Sequence, residues 1–253
     1  MTGRSIGRKT IYFAPAIWPS HEKWLARWRQ HSSLAMSRPF WSKACFRYSQ
    51  CDVLQDPAFD TGDGFAGIGM GWSMPGNSSG IDAMASDPEG VRMMLADEQV
   101  VFQVYVGDIA VVAEETVLKP SLGGGYKLFL RLYRESDGFD AALIGFGEAL
   151  LADNQIEPLI DRLSVGKIVP DDYTKNSRFD FDGLIELSVS SLDDARTVLD
   201  SPQIKAAAEP FSDALRVDWR IIVTKENMFW DQENGIDESA RQIRDYPPVK
   251  HDV

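Results

Sequence analysis

Three histidines, His21, His31 and His251, stand in the 253 residues of the chain. Imidazole is the side chain that gains or loses a proton near neutral pH. His31 is the sharpest candidate for a base or acid; its alternative is a helix-end histidine satisfying backbone carbonyls. His21 opens the same stretch, where a partly exposed histidine is ordinary, and His251 falls in a polar tail and reads as solvated. Tyr12 and Tyr48 could hydrogen-bond a phenol or carboxylate, or serve as core tyrosines whose hydroxyls reach the surface. Arg131 can grip a carboxylate through two N–H donors, or pair with Glu186 as a buried ion pair. Met70, Trp72, Phe129 and Tyr133 are suited to lining a cavity. Gly123-Gly124-Gly125 reads as a linker. No G-x-x-x-x-G-K phosphate loop or G-x-S-x-G nucleophile turn is present.

The elements that must carry these residues show a repeat. Phe65-x-Gly67-Ile68 is answered by Phe181-x-Gly183-Leu184, 116 positions on, and Pro88 by Pro202, 114 on. The strands Thr10–Ala16 and Lys127–Tyr133 stand 117 apart. Landmarks in order at a near-constant offset indicate two copies of one unit. Each copy reads strand–helix–strand–strand–helix–strand, the split βαβ pattern of a ferredoxin-like unit.

In the first copy, Lys9–Ile17 alternates, with Ile11 and Phe13 on one side and Tyr12 and Ala14 on the other. Ser20 is a plausible N-cap for a helix through His31, and Lys43–Leu54 reads as the second strand. Gly67, Gly69 and Gly71 share one face of the third strand, which suggests close approach by a packed helix. A helix from Ile81 is broken at Ser86-Asp87-Pro88, and the fourth strand centres on Tyr105–Val112. In the second copy, Leu128, Leu130 and Leu132 form one wall and Lys127, Phe129, Arg131 and Tyr133 the other. A helix Phe139–Leu151, strands Leu159–Val169 and Phe181–Val189, a helical region broken at Ser201-Pro202, and a last strand Val217–Thr224 follow.

The composition is 44% hydrophobic and 25% charged, with net charge −12, so a proper core can form. Nucleic acid and anionic membrane surfaces need a basic footprint that is lacking here. No apolar run approaches membrane-spanning length, and MTGRSIGRKT has no signal-peptide core, so a cytoplasmic protein is expected. Cys45 and Cys51 would lie roughly 20 Å apart on one extended strand, too far to bridge. They read as two buried thiols, with no histidine or carboxylate cluster beside them to make a zinc site.

A four-stranded sheet with helices on one face leaves the other uncovered. The expected fold is therefore α+β: two tandem ferredoxin-like repeats closing a barrel with helices outside. The expected boundaries are 1–119 and 126–230 for the repeats, 120–125 for the linker and 231–253 for an acidic tail. The faces opposite the helices would line an interior of Tyr12, Met70, Trp72, Lys127, Phe129, Arg131, Tyr133 and Glu186, an aromatic cavity with a few polar groups.

The segment Trp24-Leu-Ala-Arg-Trp28-Arg-Gln-His31-Ser-Ser-Leu34 resembles the first-helix W-x-x-H-x-x-L element of EthD-type proteins, in the dimeric α+β barrel superfamily. Arg47-Tyr48, the Phe-x-Gly strand and the Ser-x-Pro after the second helix resemble that family too, over roughly 9–118 and 126–230. The Arg-Tyr match favours Tyr48 over Tyr12. The second copy's first helix has no histidine, which implies one working cavity per chain. The resemblance favours His31 and Tyr48 as catalytic; with Arg131 from the interior wall they make the expected catalytic set, with Tyr12, Met70, Trp72, Phe129, Tyr133 and Glu186 around a small aromatic substrate. Lyase-type proton transfer without a cofactor is the expectation. A cofactor-free or haem monooxygenase, or a non-catalytic carrier, is the alternative, and pairing into a homodimer is compatible with it.

Overall fold

The computed structural model describes residues 4–74, 84–122 and 125–251. The first half runs β1 (Arg4–Pro15), α1 (His21–Met36), the short α2 (Trp41–Ala44), β2 (Cys45–Val53), β3 (Phe65–Ser73), α3 (Pro88–Val101) and β4 (Ala110–Lys119). The second runs β5 (Tyr126–Arg134), α4 (Phe139–Ala152), β6 (Arg162–Val169), β7 (Gly183–Val189), α5 (Leu192–Asp200), α6 (Pro202–Ala208) and β8 (Leu215–Asp231). Eight strands pair antiparallel in the order β2-β3-β1-β4-β6-β7-β5-β8, and β8 returns to β2 to close the barrel. Both halves thus have the same strand order, and the fold class expected from the sequence is the fold observed. No helix among the described residues is long and apolar enough to cross a membrane.

Several local signals act as expected. The Ser20 hydroxyl accepts from the Lys23 amide at 3.3 Å and starts α1. Ser201 caps α6, with Pro202 in its first turn. Others differ for identifiable reasons. Ser86-Asp87-Pro88 interrupts the helical residues Met84 and Ala85, as expected, but it also starts the next helix: the Asp87 carboxylate accepts from the Gly90 amide at 3.0 Å, and Pro88 sits where no N–H is needed. Ile81 lies outside the described residues. Val106–Ile109 is a 3-10 turn, so β4 begins at Ala110. β8 extends to Asp231 because its two ends serve different partners, β5 up to Lys225 and β2 from Thr224 onward. The tail after Asp231 is partly built: β9 (Ile236–Asp237) pairs with β8, and α7 (Ser239–Asp245) docks on α1.

The barrel interior is filled. Ile11, Phe13, Ile68, Met70, Phe129 and Leu184 have no exposed surface and pack together. Beside them lie three cations and three carboxylates, all buried. Lys9 Nζ meets Glu115 at 2.8 Å and also contacts Glu186. Lys127 meets Glu226 at 2.8 Å, and Arg162 meets Glu115 at 3.0 Å. The Trp72 indole N–H donates to Glu115 at 2.7 Å. Burial works to raise the Glu115 pKa, but Lys9 and Arg162 hold it well below the usual carboxylate range.

This arrangement corrects two expectations. Glu186 pairs with Lys9, not with Arg131. Arg131 lies between Asp63 and Asp218, with its Nη2 2.8 and 2.9 Å from their carboxylates, so it is paired within the protein.

Candidate active site

A cavity of about 150 Å³ lies on the other side of the sheet, between the outer face of the first half and helices α1 and α3. Glycines make the room. A Cβ at Gly67 would stand 2.4 Å from Trp28, and one at Gly69 would stand 2.0 Å from the Tyr12 ring. A Cβ at Gly71 would meet nothing within 4 Å. The first two glycines admit packed aromatics and the third faces the open space. At the 116-residue offset, Gly69 and Gly71 correspond to Ile185 and Leu187. There Ile185 and Leu187 pack with Leu128, Leu130, Phe139 and Phe146 into a solid core.

His31 is buried on the cavity wall. Its Nδ1 lies 2.8 Å from Asp97 Oδ2. A carboxylate acceptor assigns the proton to Nδ1, which leaves Nε2 without a hydrogen bond among the described residues. The ring stands edge-on to Phe102 at 5.2 Å. Asp97, in the C-terminal half of α3, also takes a bidentate contact from Arg27. Burial would raise its pKa, but hydrogen bonds from His31 and Arg27 prevail, and it lies well below the usual carboxylate range.

Tyr12 and Tyr48 meet hydroxyl to hydroxyl at 3.0 Å. Trp28 Nε1 donates to the Tyr12 oxygen at 3.0 Å, and Gln50 Nε2 donates to the Tyr48 oxygen at 2.9 Å. Each hydroxyl already accepts a bond, and only one of the two O–H protons can be used between them. The other is left for something in the cavity. Burial pushes both pKa values up, Tyr48 more strongly, so the pair donates hydrogen bonds and does not act as a base. Gln50 is held in turn by Arg29, whose guanidinium is anchored by Asp52 at 2.6 Å.

Glu98, next to Asp97, is buried on the same wall. Its Oε2 accepts from the Val106 amide at 2.8 Å, and Oε1 has no hydrogen bond among the described residues. Burial raises its pKa against a smaller opposing effect of His31. Tyr173, Phe40, Trp41, Met84 and Met94 complete much of the lining.

The cavity therefore brings together His31, Tyr12 and Tyr48, with Trp72 at its edge. It does not include Arg131, Met70, Phe129, Tyr133 or Glu186, which lie on the barrel side of the sheet. Tyr12 was expected inside the barrel but faces the helices, packed against Trp28 and Phe102. His251, expected in solvent, reaches Asp97 Oδ1 at 2.5 Å. His21 is half-buried against Trp24, and burial lowers its pKa. Asp97 and Glu98 are absent from the sequence reading. Their signal is there: Met94, Asp97, Glu98 and Val101 share one helix face, so carboxylates interrupt an apolar stripe.

No protein-family model matches the chain, and no curated protein matches it. Solved structures share its fold. A proposed monooxygenase of Fusobacterium nucleatum aligns at TM-score 0.55 and 5% identity, over 87% of this chain and 93% of that one. An anthrone oxidase-like protein aligns at TM-score 0.60 and 11% identity, over 92% and 97%. The fold is that of the dimeric α+β barrel proteins.

Proposed function

We propose that this chain is an enzyme that moves a proton on a single aromatic ring bearing an oxygen substituent, bound between the first half-sheet and helices α1 and α3. The observation that carries this reading is His31, fixed at Nδ1 by Asp97 with Nε2 left for a cavity that also holds a tyrosine pair with one unspent proton. The size points to one ring: a cavity of about 150 Å³ is what takes benzene in an otherwise packed core. The EthD-like first helix supports the same reading, because its histidine is the one on the cavity wall.

The chemistry follows from the groups present. The tyrosine pair donates to the oxygen of the ring and stabilises negative charge that develops there. His31 Nε2 takes the proton, and Asp97 holds the resulting imidazolium. Glu98, which burial favours in its protonated form, is placed to return a proton. Such a cycle serves decarboxylation, elimination or ring closure, and the protein's own acid and base suffice for it.

A second reading is oxygen use, since the deprotonated ring is electron-rich. A haem does not fit a cavity of about 150 Å³. Wild type and His31→Gln would be compared for phenol binding, for carbon dioxide release from hydroxybenzoates, and in an oxygen electrode. Phenol binding within severalfold of wild type, with turnover lost by about 10²-fold or more, is expected for removal of the base. Oxygen uptake would favour the second reading. Failure of wild type to bind phenol, or equal turnover by His31→Gln, would refute the assignment.

A further inference from the structure

Asp97 is a shared carboxylate. Its Oδ2 accepts from His31 Nδ1 at 2.8 Å and from Arg27 Nη1 at 3.1 Å. Its Oδ1 accepts from the other nitrogen of Arg27 and from His251 Nε2 at 2.5 Å. A carboxylate offers about four lone-pair directions, and all four are used. The fourth donor comes from 154 positions away in the sequence. The chain that delivers it is anchored on α1. Ser33 Oγ donates to the Gln242 carbonyl at 3.1 Å, and Gln242 Nε2 reaches the Arg29 carbonyl at 3.4 Å.

We propose that His251 is a positioning residue for His31: the two imidazoles divide one carboxylate, so docking of the C-terminal segment sets how much of Asp97 is left to hold His31. The inference rests on the reading of His31 as the proton-transfer group. The shared carboxylate itself does not depend on that reading. With His251 in place, the negative charge on Asp97 is spread over four donors. When it leaves, Oδ1 loses a donor, and Arg27 and His31 take the whole charge. An imidazolium at His31 is then better stabilised, so His31 must titrate at higher pH. If His251 is protonated, its removal also takes away a positive charge, and the sign is the same. The charged groups facing the cluster are Arg27 on α1, Glu98 beside Asp97 on α3, and Asp108 in the turn beyond Glu98. None of them moves with the tail.

The test is a titration of the three imidazoles by NMR in the full chain, wild type against His251→Ala and His251→Gln. His251 is partly exposed, so neither substitution threatens the core, and circular dichroism checks this. The expected result is an upward shift of His31 by about half a pH unit in His251→Ala. His251→Gln, which can still present an N–H to Asp97, returns His31 towards its wild-type titration. An unmoved His31 in the alanine variant overturns the proposal, as does an equal shift in both variants. The readout requires no substrate. An inactive protein with coupled imidazoles would therefore sink the proposed function and leave this inference standing.

Discussion

Replacing Gly71 by leucine should stabilise the protein and abolish its ligand site. The second half supplies the precedent, since Leu187 occupies the corresponding position in a packed core. Gly71 is not among the positive-φ residues, so a side chain meets no backbone strain, and a Cβ there meets nothing within 4 Å. Relieving a glycine in a strand contributes about 0.5–1 kcal/mol. Burying the leucine side chain in the 150 Å³ cavity contributes about 1.5–3 kcal/mol, and its lost rotamer freedom costs about 0.5–1 kcal/mol. The net is about 2 kcal/mol in favour of the folded state, or a Tm increase of roughly 5 °C at this chain length. Differential scanning calorimetry reads the first effect, and phenol titration by isothermal calorimetry reads the second. A variant that is destabilised by more than about 1 kcal/mol and still binds phenol would refute both the cavity and the role of Gly71 in making it.

Two further predictions concern charge. Lys9→Met leaves Glu186 with only Lys127 at 3.7 Å and should cost about 3–5 kcal/mol in urea unfolding. Adding Glu186→Gln should recover part of that, and a neutral Lys9→Met would show that the barrel network contributes little. Glu98→Gln should act on pH dependence. The folded-state pKa of Glu98 is raised above its ordinary value of 4.5, so its contribution to stability is present below pH 4.5 and is lost as pH rises through the folded value. The glutamine variant should therefore match wild type in acid and become the more stable of the two towards neutral pH. Parallel pH–stability curves for the two proteins would contradict that linkage.

Much of the architecture was legible in the sequence because its causes are local. Alternation separates Leu128, Leu130 and Leu132 from Phe129 and Arg131, and the serine before His21 marks the start of a helix. The repeated Phe-x-Gly strand sets the order of elements. Which wall faces the barrel was not legible from polarity. In a closed barrel clad with helices, both faces of a strand are buried, so Tyr12 and Ile11 are both core residues. The information lay in the strand register. Tyr12 stands opposite Gly69, and the glycine face is the one the helices cover. Knowing that register from the sequence would have moved Tyr12 to the helix side and the cavity with it.

The buried ions were misread for the same reason. Lys127, Arg131 and Glu186 lie on the inner wall as expected; Glu226 and Asp218 reach Lys127 and Arg131 from the neighbouring strand β8, whereas Lys9 comes to Glu186 from the other half, which only barrel closure brings near. His31 was recognisable as chemistry because histidine is scarce and sits in a characteristic helix pattern. What makes it a candidate base is Asp97, 66 positions away on another helix, and the rest of that carboxylate is shared with Arg27 and with a histidine at the far end of the chain. Residue type and local period determined the elements and the candidate acid–base group. Helix packing and sheet closure decided where the cavity is and which groups hold its histidine, because those contacts join residues that no local pattern links.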